Sequence, residues 1–357
     1  MIGLAVFAAV LLWGAKPVRQ TFREALSPDA TLPWKGFFIL WVFLSHFGQY
    51  APLEAVCGKQ TKIVCGILGQ LMVAPFLFLS GYGVMESIQK KGARYLKSFP
   101  RRRILKTLLH FDIAVAVFAA VAWALGIHYP PSRVALAFSG WTSIGNSNWY
   151  VFAILCCYLF AFVAFRPGLD GLPGRRFLQR RISLATILTG CYVAVMVLSG
   201  RRDYWWNTVF CFPLGLAASA GKERLSRLFE KSPASFWTAF FLLASFCVIV
   251  RNPCGILGFH RPWPIWAEMP AVSLAFVFFL SLVSMRIRIG NRVLVWCGKH
   301  LFAIYILQRI PMNILKDVKF VSEKPPVYFA ACLAATAVLA FLFDRMTGKL
   351  DEVVGLK

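Results

Sequence analysis

Lys35 and His46 stand eleven residues apart inside the stretch 33–51, which is otherwise apolar enough to cross a bilayer. A cation and an imidazole are costly in that setting and by default mark a functional site. Eleven residues is close to three turns of α-helix, so both side chains share one face, about 16 Å apart along the axis. They do not touch each other, but one extended ligand can touch both. The competing assignment is structural: Lys35 snorkels to the interface and His46 packs against a neighbouring helix.

Other polar groups interrupt the apolar stretches. The run Arg101-Arg102-Arg103-Ile104-Leu105-Lys106 opens the stretch 104–127. Arg103 and Lys106, three apart on a helical face, suit a phosphate clamp, although simple anchoring beside the membrane explains them as well. His110 and Asp112 follow. Asp112 is expected to pair with a basic residue on another helix. Asn146, Asn148, Trp149 and Tyr150, and again Tyr204, Trp205, Trp206 and Asn207, head two further stretches. Interfacial belt aromatics are the simplest account, and such platforms also suit sugar rings. The five histidines are scattered, with no metal-ligand spacing, so no metal is expected. Of the ten cysteines most lie in apolar stretches, where cysteine is a small hydrophobe. Cys57, Cys65 and Cys254 fall near outward segments where a disulfide is chemically allowed, but their spacing sets no framework.

The elements that must position these groups follow from composition. The chain is 59% hydrophobic and 15% charged, with a mean hydropathy of +0.65, outside the range of a soluble domain. Apolar runs recur between basic clusters and Pro/Gly turns, which predicts an all-α, polytopic transmembrane bundle surrounded by lipid. Eleven spans are expected: 2–15, 33–51, 63–85, 104–127, 148–165, 182–199, 205–220, 234–250, 264–285, 293–310 and 326–344. The first is short for a crossing, so ten is the alternative count. It lacks the basic start and cleavage site of a secretory signal and is expected to be retained. The net charge of +24 would suggest nucleic acid on one soluble face; here it is distributed by loop, so no nucleic acid is expected. Most basic residues fall on one side, placing the N-terminus outside and the C-terminus in the cytoplasm. One domain spans 1–357: an accessory span and basic linker at 1–32, a core at 33–344 and a cytoplasmic tail at 345–357.

Five elements, in order, carry a resemblance. Lys35-x10-His46 resembles the Arg/Lys-x10-His signature of the acyltransferase-3 family of integral membrane O-acyltransferases. Phe76-Leu77-Phe78-Leu79-Ser80-Gly81-Tyr82-Gly83 is similar to its Phe-Phe-x-Ile-Ser-Gly-Tyr element, and Arg103-x-x-Lys106 to its Arg-x-x-Arg. Asn148-Trp149-Tyr150 resembles its Trp-Phe/Tyr helix start. Trp296-Cys297-Gly298-Lys299-His300-Leu301-Phe302-Ala303-Ile304-Tyr305-Ile306-Leu307 resembles its Gly-Lys-x-Ser-x-x-Ile-Tyr-Leu-Leu-His element. Gln308 stands where many members have a second histidine. Lys106 replaces an arginine, keeping charge and losing bidentate phosphate recognition.

The resemblance implies transfer of an acyl group, usually acetyl, from cytoplasmic acyl-CoA to a hydroxyl on a carbohydrate or lipid-linked envelope acceptor, in a multi-pass protein of the bacterial cytoplasmic membrane. Acetyl-CoA is then a substrate, and no bound cofactor is expected. Lys35, Arg103 and Lys106 would take the CoA phosphates, and His46 would be general base, imidazole titrating near neutrality. Ser80, Tyr82, Asn148, Trp149 and Tyr305 would line the site. With no esterase-like domain after the last span, the chain would complete transfer alone or pass the acyl group to a partner protein. Two other classes stay open: a proton-coupled exporter of a glycolipid or polysaccharide using His46 and Asp112, and a membrane scaffold in which Lys35 and His46 are replaceable.

Overall fold

The computed structural model describes residues 2–168, 173–251 and 265–356. Its principal helices are α1 (Ile2–Leu12), α2 (Pro28–Phe47), α3 (Lys59–Lys91), α4 (Ala93–Ala124), α5 (Trp149–Phe165) and α6 (Arg175–Leu198). They continue as α7 (Cys211–Ala220), α8 (Pro233–Arg251), α9 (Ile265–Ser284), α10 (Arg292–Lys299), α11 (Leu301–Leu315) and α12 (Pro325–Val353). Each expected apolar stretch falls on one of them or, for 293–310, on the pair α10–α11; residue 264 lies outside the described residues. By length and composition six are able to cross a membrane (α3, α4, α6, α8, α9, α12), seven if the bent pair α10–α11 forms one span. The protein is therefore a multi-pass helical membrane protein. Large apolar side chains point outward, including Leu198, Trp123 and Phe241, as a lipid-facing surface requires.

The remaining four helices explain the larger expected count. The 11 residues of α1 extend only about 16 Å, half of a hydrocarbon core. The 10 residues of α7 are shorter still, the 17 of α5 fall just under a full crossing, and α2 carries Asp29, Lys35 and His46. A short antiparallel pairing of Lys16–Pro17 with Ile287–Arg288 ties the basic segment after α1 to the turn after α9. Asn291 reinforces the tie: its side chain accepts from Leu294 N to cap α10 and donates to Val10 O at 2.8 Å near the end of α1.

Helix starts follow local chemistry. Thr21 and Glu24 form a reciprocal capping box on the short helix Phe22–Ala25. Ser27 caps α2 ahead of Pro28 at the first helical position, where no N–H is needed. Within α3 the helix tightens to a 3₁₀ turn over Gly69–Met72, just before Pro75. At His300 the chain bends by 69° between α10 and α11; His300 Nδ1 meets Asp344 Oδ2 at 2.5 Å and its ring packs on Trp296.

Two glycine contacts set the packing around the polar residues. A Cβ on Gly36 of α2 would lie 1.9 Å from Leu294 O of α10, and one on Gly298 2.2 Å from Leu32 O. A Cβ on Gly81 of α3 would lie 2.0 Å from Phe212 O of α7, and one on Gly215 2.0 Å from Phe78 O. Such close backbone approach is how helices associate where lipid competes equally for apolar side chains. Lys35, Ser80 and Tyr82 each adjoin one of these glycines, so their positions are set by backbone contact.

Candidate functional site

The Lys35 end of α2 and the basic start of α4 meet at one end of the bundle. Here the stretch Pro100–Leu105 has π-helical bonding inside the longer α4, a widened turn that proteins tolerate mainly at functional positions. Arg103 Nε donates to Tyr95 Oη at 3.1 Å. Its guanidinium borders two cavities. One, of about 320 Å³, is lined by Ser80, Arg102, Arg103, Lys106, Thr107, His110, Tyr150 and Tyr305 among others. The second, of about 410 Å³, is lined by Arg23, Lys35, Tyr82, Glu86, Lys90, Lys91 and Arg103. Lys35 has no ion-pair partner among the described residues, and the charge of Arg103 acts directly on it. Two cations bordering one cavity, neither of them in an ion pair among the described residues, are suited to an anionic ligand such as a phosphate.

Lys106 is differently placed. Its ammonium pairs with Asp351 Oδ2 at 2.7 Å, and His110 Nε2 meets Asp351 Oδ1 at 2.9 Å. Asp351 is 3% exposed and lies near the end of α12, which runs through residues 345–353 and folds against the basic turn. Arg101 extends the contact by donating to Val354 O at 2.5 Å. Asp351, not Asp112, thus makes the cross-helix pairing on this helix. Asp112 Oδ1 is buried without a hydrogen-bond partner, and no ion pair to Asp112 occurs among the described residues. The expected pairing of Asp112 is corrected: two residues from His110, it lies on a different face of α4.

The first cavity is also lined by Tyr150 and Tyr305, ring centroids 5.4 Å apart. His46 packs behind Tyr305 with centroids 6.1 Å apart. His46 Nδ1 is buried and has no hydrogen-bond partner. His46 lines neither of the two cavities; Tyr305 stands between it and the first. Arg309, from α11, reaches the turn that follows His46: it donates to Gln49 Oε1 at 2.7 Å and to Tyr50 Oη at 3.4 Å. Nε of the same guanidinium donates to Ser147 Oγ at 3.0 Å.

The structure brings Ser80, Arg103, Lys106 and Tyr305 to one cavity and Lys35 and Tyr82 to its neighbour, with Arg103 shared. Asn148 is not at the cavity wall; its Nδ2 donates to Gly140 O at 2.8 Å and ties the preceding loop to α5. Trp149 packs edge-on against Tyr150 and Tyr204 and supports the tyrosine wall from behind. Gln308 is fully buried and donates to Tyr305 O, so the position of the absent histidine stabilises α11. Sequence reasoning missed His110, Asp351 and Arg309 as a cavity wall, its counter-ion and a neighbour of His46. A signal existed for Arg309, a basic residue inside the stretch 293–310. Cys57 and Cys65 are both free thiols, and Cys254 lies outside the described residues.

Residues 34–345 match the family model described as an acyltransferase domain, in the third of the acyltransferase families so numbered. No curated protein and no solved structure matches the chain.

Proposed function

We propose that this chain, which belongs to the acyltransferase-3 family of membrane proteins, moves an acyl group, acetyl in the first instance, from cytoplasmic acyl-CoA to a hydroxyl of a carbohydrate or lipid-linked envelope acceptor. One observation carries the reading. A cavity of about 320 Å³ is lined by Arg102, Arg103 and Lys106 together with Tyr150 and Tyr305, and His46 packs against Tyr305. The separation between Lys35 and His46, about 16 Å along one helix, is comparable to a pantetheine arm. The excess of basic residues around Lys35 and Arg103 favours placing that end in the cytoplasm.

In this reading Lys35 and Arg103 hold the CoA phosphates, and the thioester lies beside Tyr150 and Tyr305. His46 accepts the proton of the acceptor hydroxyl as its oxygen attacks the thioester carbonyl. The tetrahedral intermediate collapses with loss of the CoA thiolate, which takes up the proton, and the new oxygen ester leaves. Lys106 contributes less to phosphate binding than Arg103, since Asp351 already neutralises it. The acceptor is reached from the opposite end of the bundle, where Gln49, Tyr50 and Arg309 surround the turn after His46.

The test is transfer of label from acetyl-CoA to the cell envelope in membranes holding equal amounts of wild-type or His46→Ala protein. Label that appears in an envelope fraction only with His46 intact supports the reading and exposes the acceptor class. Equal label in both removes His46 as the base. Absence of label together with absence of acetyl-CoA binding would transfer the weight to proton-coupled export.

A further inference from the structure

We infer that Arg309 forms an anion subsite beside His46 that receives a carboxylate or phosphate carried by the acceptor, a deepening that rests on the transfer reading above. The argument begins with charge. Several buried or half-buried cations of the bundle have carboxylates: Lys222 pairs with Glu86, Arg251 Nη1 with Glu268 at 2.9 Å, and Lys106 with Asp351, whereas Lys35 and Arg103, read above as donor-phosphate ligands, have no ion pair among the described residues. Arg309 has none among the described residues. Its partners are Ser147 Oγ, Gln49 Oε1 and Tyr50 Oη, all neutral oxygens.

A guanidinium has five N–H donors, so these contacts hold it in place without filling it or neutralising it. An uncompensated cation at half-buried depth is costly, and an incoming anion offsets that cost. Position supplies the second observation. The charge of Arg309 acts directly on His46, and two of its three partners belong to the turn immediately after His46. Tyr50 is itself fixed, donating to Asn313 Oδ1 at 3.0 Å, so the guanidinium has a rigid surround. An acceptor whose anion docks on Arg309 presents its neighbouring hydroxyl toward the His46 ring. The opposite end of the bundle has its own cations, Lys35 and Arg103, so the donor and acceptor anions are held apart.

The experiment measures ligand-induced shifts of the unfolding midpoint for detergent-solubilised, full-length wild type, Arg309→Gln and Arg309→Lys. The probes are glucuronate, glucose 1-phosphate and glucose, at matched chloride ionic strength. The expected result is a saturable rise in wild type with at least one anionic probe and none with glucose. Arg309→Gln should weaken that response ten-fold or more, and Arg309→Lys should keep the preference for anion over glucose. A response to glucuronate alone identifies a carboxylate, to glucose 1-phosphate alone a phosphate. No anionic response in wild type, an equal response in Arg309→Gln, or an equal response to glucose would overturn the inference. If Arg309→Gln fails to fold, Arg309→Lys decides: loss of its anion preference overturns the inference. Acetyl-CoA binding, measured on the same samples, should be unchanged by Arg309→Gln. Absence of that binding in wild type would sink the transfer reading and leave the anion measurement standing.

Discussion

Gly81→Ala and Gly83→Ala place the same methyl group two residues apart on α3, with opposite expectations. At Gly81 the new carbon would lie 2.0 Å from Phe212 O and 3.2 Å from Leu216 N; at Gly83 nothing lies within 4 Å. Ordinary contact begins near 3.4 Å, so α3 and α7 must separate by about 1.4 Å, taking ordinary van der Waals packing as the limit. Overpacking of that kind costs about 1–3 kcal/mol. Replacing a helical glycine by alanine also gains up to about 1 kcal/mol of helix propensity. That gain is common to both variants, so their difference isolates the clash. Ser80 and Tyr82 flank Gly81 and face separate cavities. A displacement above 1 Å at such positions lowers turnover by about 10²-fold. The assays are the unfolding midpoint in detergent and label transfer from acetyl-CoA in membranes. Gly83→Ala, whose methyl enters the basic cavity, should match or exceed wild type in the unfolding midpoint, while Gly81→Ala falls in both assays. Equal behaviour of the two variants would refute the claim that glycine contact between α3 and α7 positions the cavity walls.

Asp351→Ala removes the shared acceptor of Lys106 and His110. Breaking a buried pair costs about 3–5 kcal/mol, and we expect about 2–4 because Lys106 keeps a third of its side chain in solvent. Pairing that variant with Lys106→Met should recover most of the loss, and a double-mutant cycle with no coupling would show that the pair does not form. Ser80→Ala should leave label transfer within a few-fold of wild type, whereas His46→Ala abolishes it; an equal loss would make Ser80 catalytic. Asn291→Ala should lower stability by about 1–2 kcal/mol, the worth of a helix N-cap, and should expose the end of α1 to proteolysis. Unchanged cleavage near Val10 would remove its role as a tie to α1.

Much of the helical plan was legible because apolar runs report burial in lipid directly. Lys35 and His46 share α2 as their spacing requires, and the region 76–83 forms the half of α3 that borders both cavities. What could not be read were pairings between helices. Asp351 lies 241 residues from His110, beyond the apolar run that defined the last span, and periodicity carries no information about such distance. The same limit applies to Asp112, whose helix face was known while the helix opposite it was not. Asn148 shows a different failure. Its place at a helix start is correct, but the side chain satisfies a loop carbonyl, a demand set by the turn at Gly140, where φ is +77°.

The Ser80-Gly81-Tyr82 triplet shows how a motif can be read correctly as letters and incompletely as geometry. Successive helical residues point about 100° apart. With Gly81 held against Phe212, Ser80 and Tyr82 must diverge to either side of that contact. Ser80 enters the cavity with Tyr150 and Tyr305, and Tyr82 enters the basic one with Lys35. Arg103 borders both, so the residues that looked like one lining are two, joined by a single guanidinium. Arg103 is the residue common to both linings, so a ligand that engages Lys35 and the tyrosine wall together has this guanidinium within its reach. That shared position makes Arg103 more demanding of its identity than Lys106, whose charge Asp351 already answers.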